Sequence, residues 1–219
     1  MLFYDSGVSP AATASSARRR YASPLREKRA EETKATLLRA ATELFTTKGW
    51  AGTGMRDVAR GAGVAVETLY KHYSSKRVLF DAVVDHAVVG DDEPVPVAQR
   101  PEFLAMRRGR RTDRIAAAAA LTAAIHDRTG PFAKLIREAA ATDEEIAEVL
   151  RATRERQRQD IGAGLELVLG RPTTEAERDG VWAVLSPEVY LLLVQESGWS
   201  LDQYETWLST MLASVLPRS

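Results

Sequence analysis

Three times in its second half the chain sets a hydroxyl residue three positions before Glu or Gln: Thr142-x-x-Glu145, Thr174-x-x-Glu177 and Ser200-x-x-Gln203. That spacing is the capping box, in which each side chain satisfies a backbone N–H that a helix start leaves free. Ser23-Pro24 adds another start, a hydroxyl at the N-cap followed by proline where its missing N–H costs nothing. Apolar residues after it recur at helical spacing, as in Leu37, Ala41, Leu44 and Phe45. No stretch alternates apolar with polar and no hairpin signal occurs. The pattern predicts an all-α chain.

The punctuation divides it further. A first helix runs from Ser23-Pro24 to Lys48-Gly49, where a cation and a glycine can close the last turn. Short helices are expected over 54–62 and 65–72, with Gly63-Val64 as the turn, and a longer apolar one over 76–89, capped by Ser74-Ser75. The segment 90–96, with "DDEPVP", reads as an exposed link. Beyond it lie one or two turns at 103–108, then helices over 113–127, 131–141 and 143–169, and two more opening at Thr174 and Ser200. Ser186-Pro187 either kinks a helix or caps a new one. Residues 1–22 are rich in Ser, Ala and Thr, end in Arg18-Arg19-Arg20, and read as a disordered basic arm.

Several chemistries are excluded. With no cysteine, the chain has neither disulfides nor thiolate metal sites. His72, His86 and His126 are far apart, and Asp91-Asp92-Glu93 has no second copy and runs into proline. No phosphate loop or nucleophile elbow occurs, and Gly61-x-Gly63 lacks a third glycine and follows a helix rather than a strand. The expectation is therefore no enzyme, no metal and no cofactor. The first ten residues do not read as a signal peptide, and no run approaches the ~18 apolar residues of a membrane span. The chain is expected to be cytoplasmic.

Charge gives the positive clue. The chain carries 30 Lys and Arg against 30 Asp and Glu, yet residues 18–90 hold fourteen basic against eight acidic residues. Such a split points to a polyanion partner for the first part only. Within it, "GVAVETLYKHYSSK", 63–76, crowds Tyr70, Lys71, His72, Tyr73 and Lys76 onto one short helix and its flank. With Gly63 as the turn, Ala59 four residues earlier is small enough for two helices to cross closely, and Val58, Ala62, Val64 and Leu69 fill the space between. Val66, Glu67, Thr68, Tyr70, Lys71 and His72 are left largely outside. In a helix-turn-helix the second helix enters the major groove of DNA.

The stretch "RAATELFTTKGWAGTGMRDVARGAGVAVETLYKHYSSKRVLFDAVV", 39–84, resembles the DNA-binding domain of the tetracycline-repressor (TetR) family of bacterial transcriptional regulators. The likeness reaches back to about Leu25, and the tail from Val181 is similar to that of many members. The resemblance implies a three-helix helix-turn-helix domain over 23–90 and a helical effector-binding and dimerisation domain over 91–219. It implies a homodimer on a palindromic double-stranded operator, most simply a repressor released by a small-molecule effector, in the nucleoid. The alternative is a dimeric ligand-binding protein whose operator binding is weakened or lost. By position, Arg56, Val66, Glu67, Thr68, Lys71 and His72 read bases, while Tyr70 and Lys76 grip phosphate. Many members carry Thr where this chain has Gly54, so either Thr53 takes over its phosphate contact or the contact is lost. Glu67 can accept from cytosine N4 but repels phosphate.

The second part is less specific. The alanine run 116–120 favours a close-packed helix and can also leave room for a ligand. His126, Trp182 and Tyr190, each with an aromatic body and a polar tip, are the candidate ligand contacts. Trp207, Leu208, Met211, Leu212 and Val215 give the last helix a broad apolar face, the expected core of a dimer interface with the segment 174–197.

Overall fold

The computed structural model describes residues 24–91, 93, 95 and 97–217, so the basic arm read at 1–22 lies outside the described residues. These form ten α-helices and no strand. The first four are α1 (Pro24–Gly52), α2 (Met55–Gly61), α3 (Val66–His72) and α4 (Lys76–Val89). After a 3₁₀ turn, Val97–Gln99, come α5 (Pro101–Ala105), α6 (Arg111–Ala139), α7 (Glu144–Leu169) and α8 (Glu175–Val184). The chain ends with α9 (Pro187–Tyr190), a π-helical turn at Leu191–Glu196, and α10 (Leu201–Val215). Among the described residues no helix is long and apolar enough to cross a membrane.

The start signals act where the spacing places them at Thr174 and Ser200, which form reciprocal capping boxes with Glu177 and Gln203. Ser186 caps a new helix rather than kinking an old one. Gly49 breaks α1 with φ 69°, and one further turn carries the helix to Gly52. Two readings need correction. The cap of α7 is Asp143, whose carboxylate accepts from the Ile146 N–H, not Thr142 one residue earlier. And α6 runs unbroken through Pro131, where the sequence predicted two helices. Thr129, Gly130 and Phe132 are all buried around the proline, and that packing outweighs one missing backbone bond.

Gly90 ends α4 with φ 90°, and Arg100 then forks onto the Asp91 carboxylate at 2.5 and 2.7 Å. That pair holds the carboxyl down to a pKa of about 2.

Two apolar cores follow. The first joins Leu37, Phe45, Val58, Leu69 and Phe80 of the N-terminal helices to Phe132, Leu135 and Ile136 of α6 and Ile146 and Val149 of α7. The N-terminal unit is therefore not a bead on a string; its core continues into the body. Phe80 sits at the joint, ring centroids 4.9 Å from Phe45, 5.5 Å from Trp50 and 6.2 Å from Phe132, all edge-on. The second core gathers Ile115, Ala119, Leu165, Tyr190, Tyr204, Leu208 and Leu212, where α10 packs along α6.

Candidate nucleic-acid interface and the cavity behind it

The crossing of α2 and α3 follows from small side chains. Val58, Ala59 and Leu69 are fully buried between the helices, and the Val64 N–H donates to the Ala59 carbonyl at 3.0 Å across the turn. Gly63 takes φ 67°, which an L side chain adopts only with strain. With Leu69 inward, Glu67, Tyr70 and Lys71 of α3 and Arg56 of α2 lie exposed, and Val66, Thr68 and His72 are half-buried beside them. The side chains of Arg56, Glu67, Tyr70 and Lys71 make no hydrogen bond or ion pair with the described residues. Tyr70 is 49% exposed, a large ring left in water.

Three of the residues read as DNA contacts are placed differently. Thr53 is 2% exposed, and its hydroxyl donates to the Gly49 carbonyl at 2.8 Å, so the broken end of α1 uses it up. Gly54 is the N-cap of α2 and offers no side chain to it. Lys76 turns inward: its ammonium donates to the Trp50 carbonyl and lies 4.1 Å from the centre of the indole ring. Burial lowers its pKa, with the charges of Asp143 and Glu145 acting in the opposite sense. The indole in turn donates through Nε1 to Asp143 at 3.0 Å, so Lys76, Trp50 and the cap of α7 form one chain from head to body. Trp50 was missed in the sequence because its partner lies 93 residues away.

Behind the head, α4, α6 and α7 enclose a cavity of ≈ 410 Å³, walled by Val88, Phe103, Met106, Leu121, Ile161 and Leu212 among others. Thr122, Ile125, Asp160 and Ile161 also line a second space of ≈ 270 Å³ that reaches Asp85 of α4, His126 and Arg156. Arg128 of α6 donates to the carbonyls of Ala87 and Val88, both at 2.9 Å, and fixes the end of α4 against this wall.

Of the residues read as ligand contacts, His126 lines the polar end, whereas Tyr190 and Trp182 line neither space. Tyr190 packs its ring 5.9 Å from His126 and donates to Asp127 at 3.3 Å, because Gly130 leaves room for it against α6. Trp182 is half-buried on α8. The signal for the missed residues is Asp160, a charge on the stripe of α7 that otherwise carries Ile161, Gly164, Leu165 and Val168. The last helix is also corrected. Leu208 and Leu212, with Tyr204, point into the core at helical spacing, and only Trp207, Met211 and Val215 remain at least partly exposed on the neighbouring face.

His126 is 6% exposed and shares a 2.8 Å hydrogen bond with the Tyr204 hydroxyl. Burial keeps the ring neutral and pulls its pKa down to about 4, against the opposing charge of Glu188. The unfolded histidine, near ~6.5, takes up its proton first, so stability is full above that pH and falls as pH drops toward 4. Between about pH 7 and about pH 5.5 denaturant titrations should show a loss of roughly 1 kcal/mol from this group. His126→Gln should flatten that slope; an unchanged slope contradicts a buried neutral imidazole.

The family model described as "Bacterial regulatory proteins, tetR family" matches residues 37–83. The HTH-type transcriptional repressor Rv3405c of Mycobacterium tuberculosis is 41% identical over 56 residues, 26% of this chain and 30% of that protein. The HTH-type transcriptional activator FasR of Mycolicibacterium smegmatis is 41% identical over 58 residues, 26% of each. The matched stretch thus spans less than a third of either relative. A TetR-family member from Streptomyces coelicolor superimposes with a TM-score of 0.57 at 18% identity, over 85% of this chain and 99% of that one, a likeness of fold. Residues 37–83 are thus similar to the tetR family of bacterial regulatory proteins, and the whole chain is similar in fold to one of its members.

Proposed function

We propose that the chain is a DNA-binding regulator of transcription, a homodimer that holds a palindromic operator and lets it go when a small molecule fills the cavity. The observation that carries the reading is the exposed set Arg56, Glu67, Tyr70 and Lys71, polar groups with no partner among the described residues on a helix pair of groove-entering form. Domain limits follow the same division: a basic arm over 1–22, the head over 23–90 and the body over 91–219. Two heads related by a dyad would address half-sites about 34–36 Å apart. Trp207, Met211 and Val215 on α10 support a dimer through that helix, since an apolar stripe in water is costly.

Release by a ligand is supported by α4, which carries the head at one end and lines the cavity with Val84, Asp85 and Val88 at the other. A ligand that moves α4 changes the placement of the heads, and by linkage operator DNA weakens the ligand by the same factor. One relative bears the name repressor and another activator; release from an operator favours repression here. The alternative, a dimeric ligand binder with operator binding weakened or lost, draws support from the uncapped Gly54, the spent Thr53 hydroxyl and the acidic Glu67.

Selection from a pool of random duplexes with the full chain tests the reading. Enrichment of an inverted repeat supports it; no enriched sequence after repeated rounds favours the alternative.

A further inference from the structure

Asp85 on α4 and Asp160 on α7 line the polar end of the cavity, and neither makes a hydrogen bond or ion pair with the described residues. Arg156, also exposed, lines the same end, and its one hydrogen bond among the described residues, to Thr153 at 3.5 Å, is marginal. The charges there are two carboxylates against one guanidinium. His126 contributes no charge, being neutral, and its Nε2 has no partner within the described residues while the ring faces this space. Both carboxylates sit exposed at the mouth of this space, and partial burial raises their pKa values against the opposing charge of Arg156. Past Thr122 and Ile125 the space turns apolar and continues between Phe103, Met106, Val181 and Leu212.

We propose that this cavity binds an amphipathic cation: an ammonium head between Asp85 and Asp160 and an apolar body running toward Met106 and Leu212. The proposal rests on the effector reading above and names the chemical class of the effector. An ammonium supplies the second positive charge that two carboxylates facing one guanidinium leave unmatched, and it can donate to the imidazole Nε2 when Nδ1 carries the proton toward the Tyr204 hydroxyl. The anionic alternative has only Arg156 to meet it and would face both carboxylates. Because Asp85 belongs to α4 and Asp160 to α7, one head group holds the lever to the body.

The test compares decylammonium, decanol and decanoate, one tail with three head charges, by calorimetric titration of the full chain without DNA, below the aggregation concentration of each. Decylammonium should bind at least about ten-fold tighter than decanol, the scale of one charge-assisted contact, and decanoate weakest. Asp85→Asn and Asp160→Asn should each cut the preference for the cation and leave decanol affinity unchanged. Gly164→Leu fills the apolar end, where an added Cβ already meets Met106 Cε at 3.4 Å, and should weaken all three probes. Equal binding of the three, tightest binding of decanoate, no saturable binding of the cation, or a cation preference that survives both Asp→Asn changes overturns the proposal. Operator affinity is read separately. A cation that fills the cavity and leaves operator affinity unchanged overturns the effector reading while the ligand class stands.

Discussion

Phe80→Ala should destabilise the protein by about 3–5 kcal/mol, the cost of deleting a fully buried aromatic ring and leaving a void. The ring has no exposure and stands edge-on to Phe45, Trp50 and Phe132, so its removal strips contacts from α1, α4 and α6 at once. Those are the helices that join head to body, and the loss should register in both, as one shifted urea transition at fixed protein concentration. Tyr70→Ala, removing a ring already half in water, should shift the same midpoint little. A Phe80→Ala shift worth less than about 1 kcal/mol would mean that the two units are held together by something other than this core. A separate, earlier transition for the head would say the same.

Arg56→Ala should cost about 1–3 kcal/mol of operator binding and relax preference at one position in each half-site. Arg56 is exposed beside α3 without a partner among the described residues, so its guanidinium can fork onto a guanine edge, and its loss should leave the fold intact. Random DNA should be affected far less. Lys76→Ala is the contrast, because Lys76 is only partly exposed and already spends one of its three N–H donors on the Trp50 carbonyl. Its removal should weaken operator and random DNA alike, and it should also loosen the Trp50–Asp143 connection to the body. Equal losses on operator and random DNA for Arg56→Ala would make that arginine a phosphate contact instead of a reader.

The head was legible because its information is local. Gly63, Ala59 and the apolar set Val58, Val64 and Leu69 lie within a dozen residues, and turn chemistry with helical spacing decides where they go. Capping boxes at Thr174 and Ser200 were legible for the same reason. Pro131 was misread because its tolerance depends on Tyr190 and Gln195 packing near Gly130, contacts some sixty residues apart in sequence that no local rule contains. The cavity was half legible. His126 was found by its polar tip, but Asp85 and Asp160 acquire meaning only when α4 and α7 come together around it. Trp207 and Leu208 are neighbours in sequence and read alike as apolar, yet α10 turns one toward α6 and leaves the other partly in water. Periodicity locates an apolar face; it does not divide that face between a chain's own core and a second copy.

The most direct measurement is the affinity of the full chain for a duplex from the region upstream of its own gene, against a scrambled duplex of equal length, by fluorescence anisotropy at several salt concentrations. The account predicts tighter binding to the upstream duplex by about 10³-fold or more at physiological salt. Both affinities should fall as salt rises, the mark of phosphate contacts. Equal affinity for the two duplexes at every salt concentration would contradict sequence reading by α3.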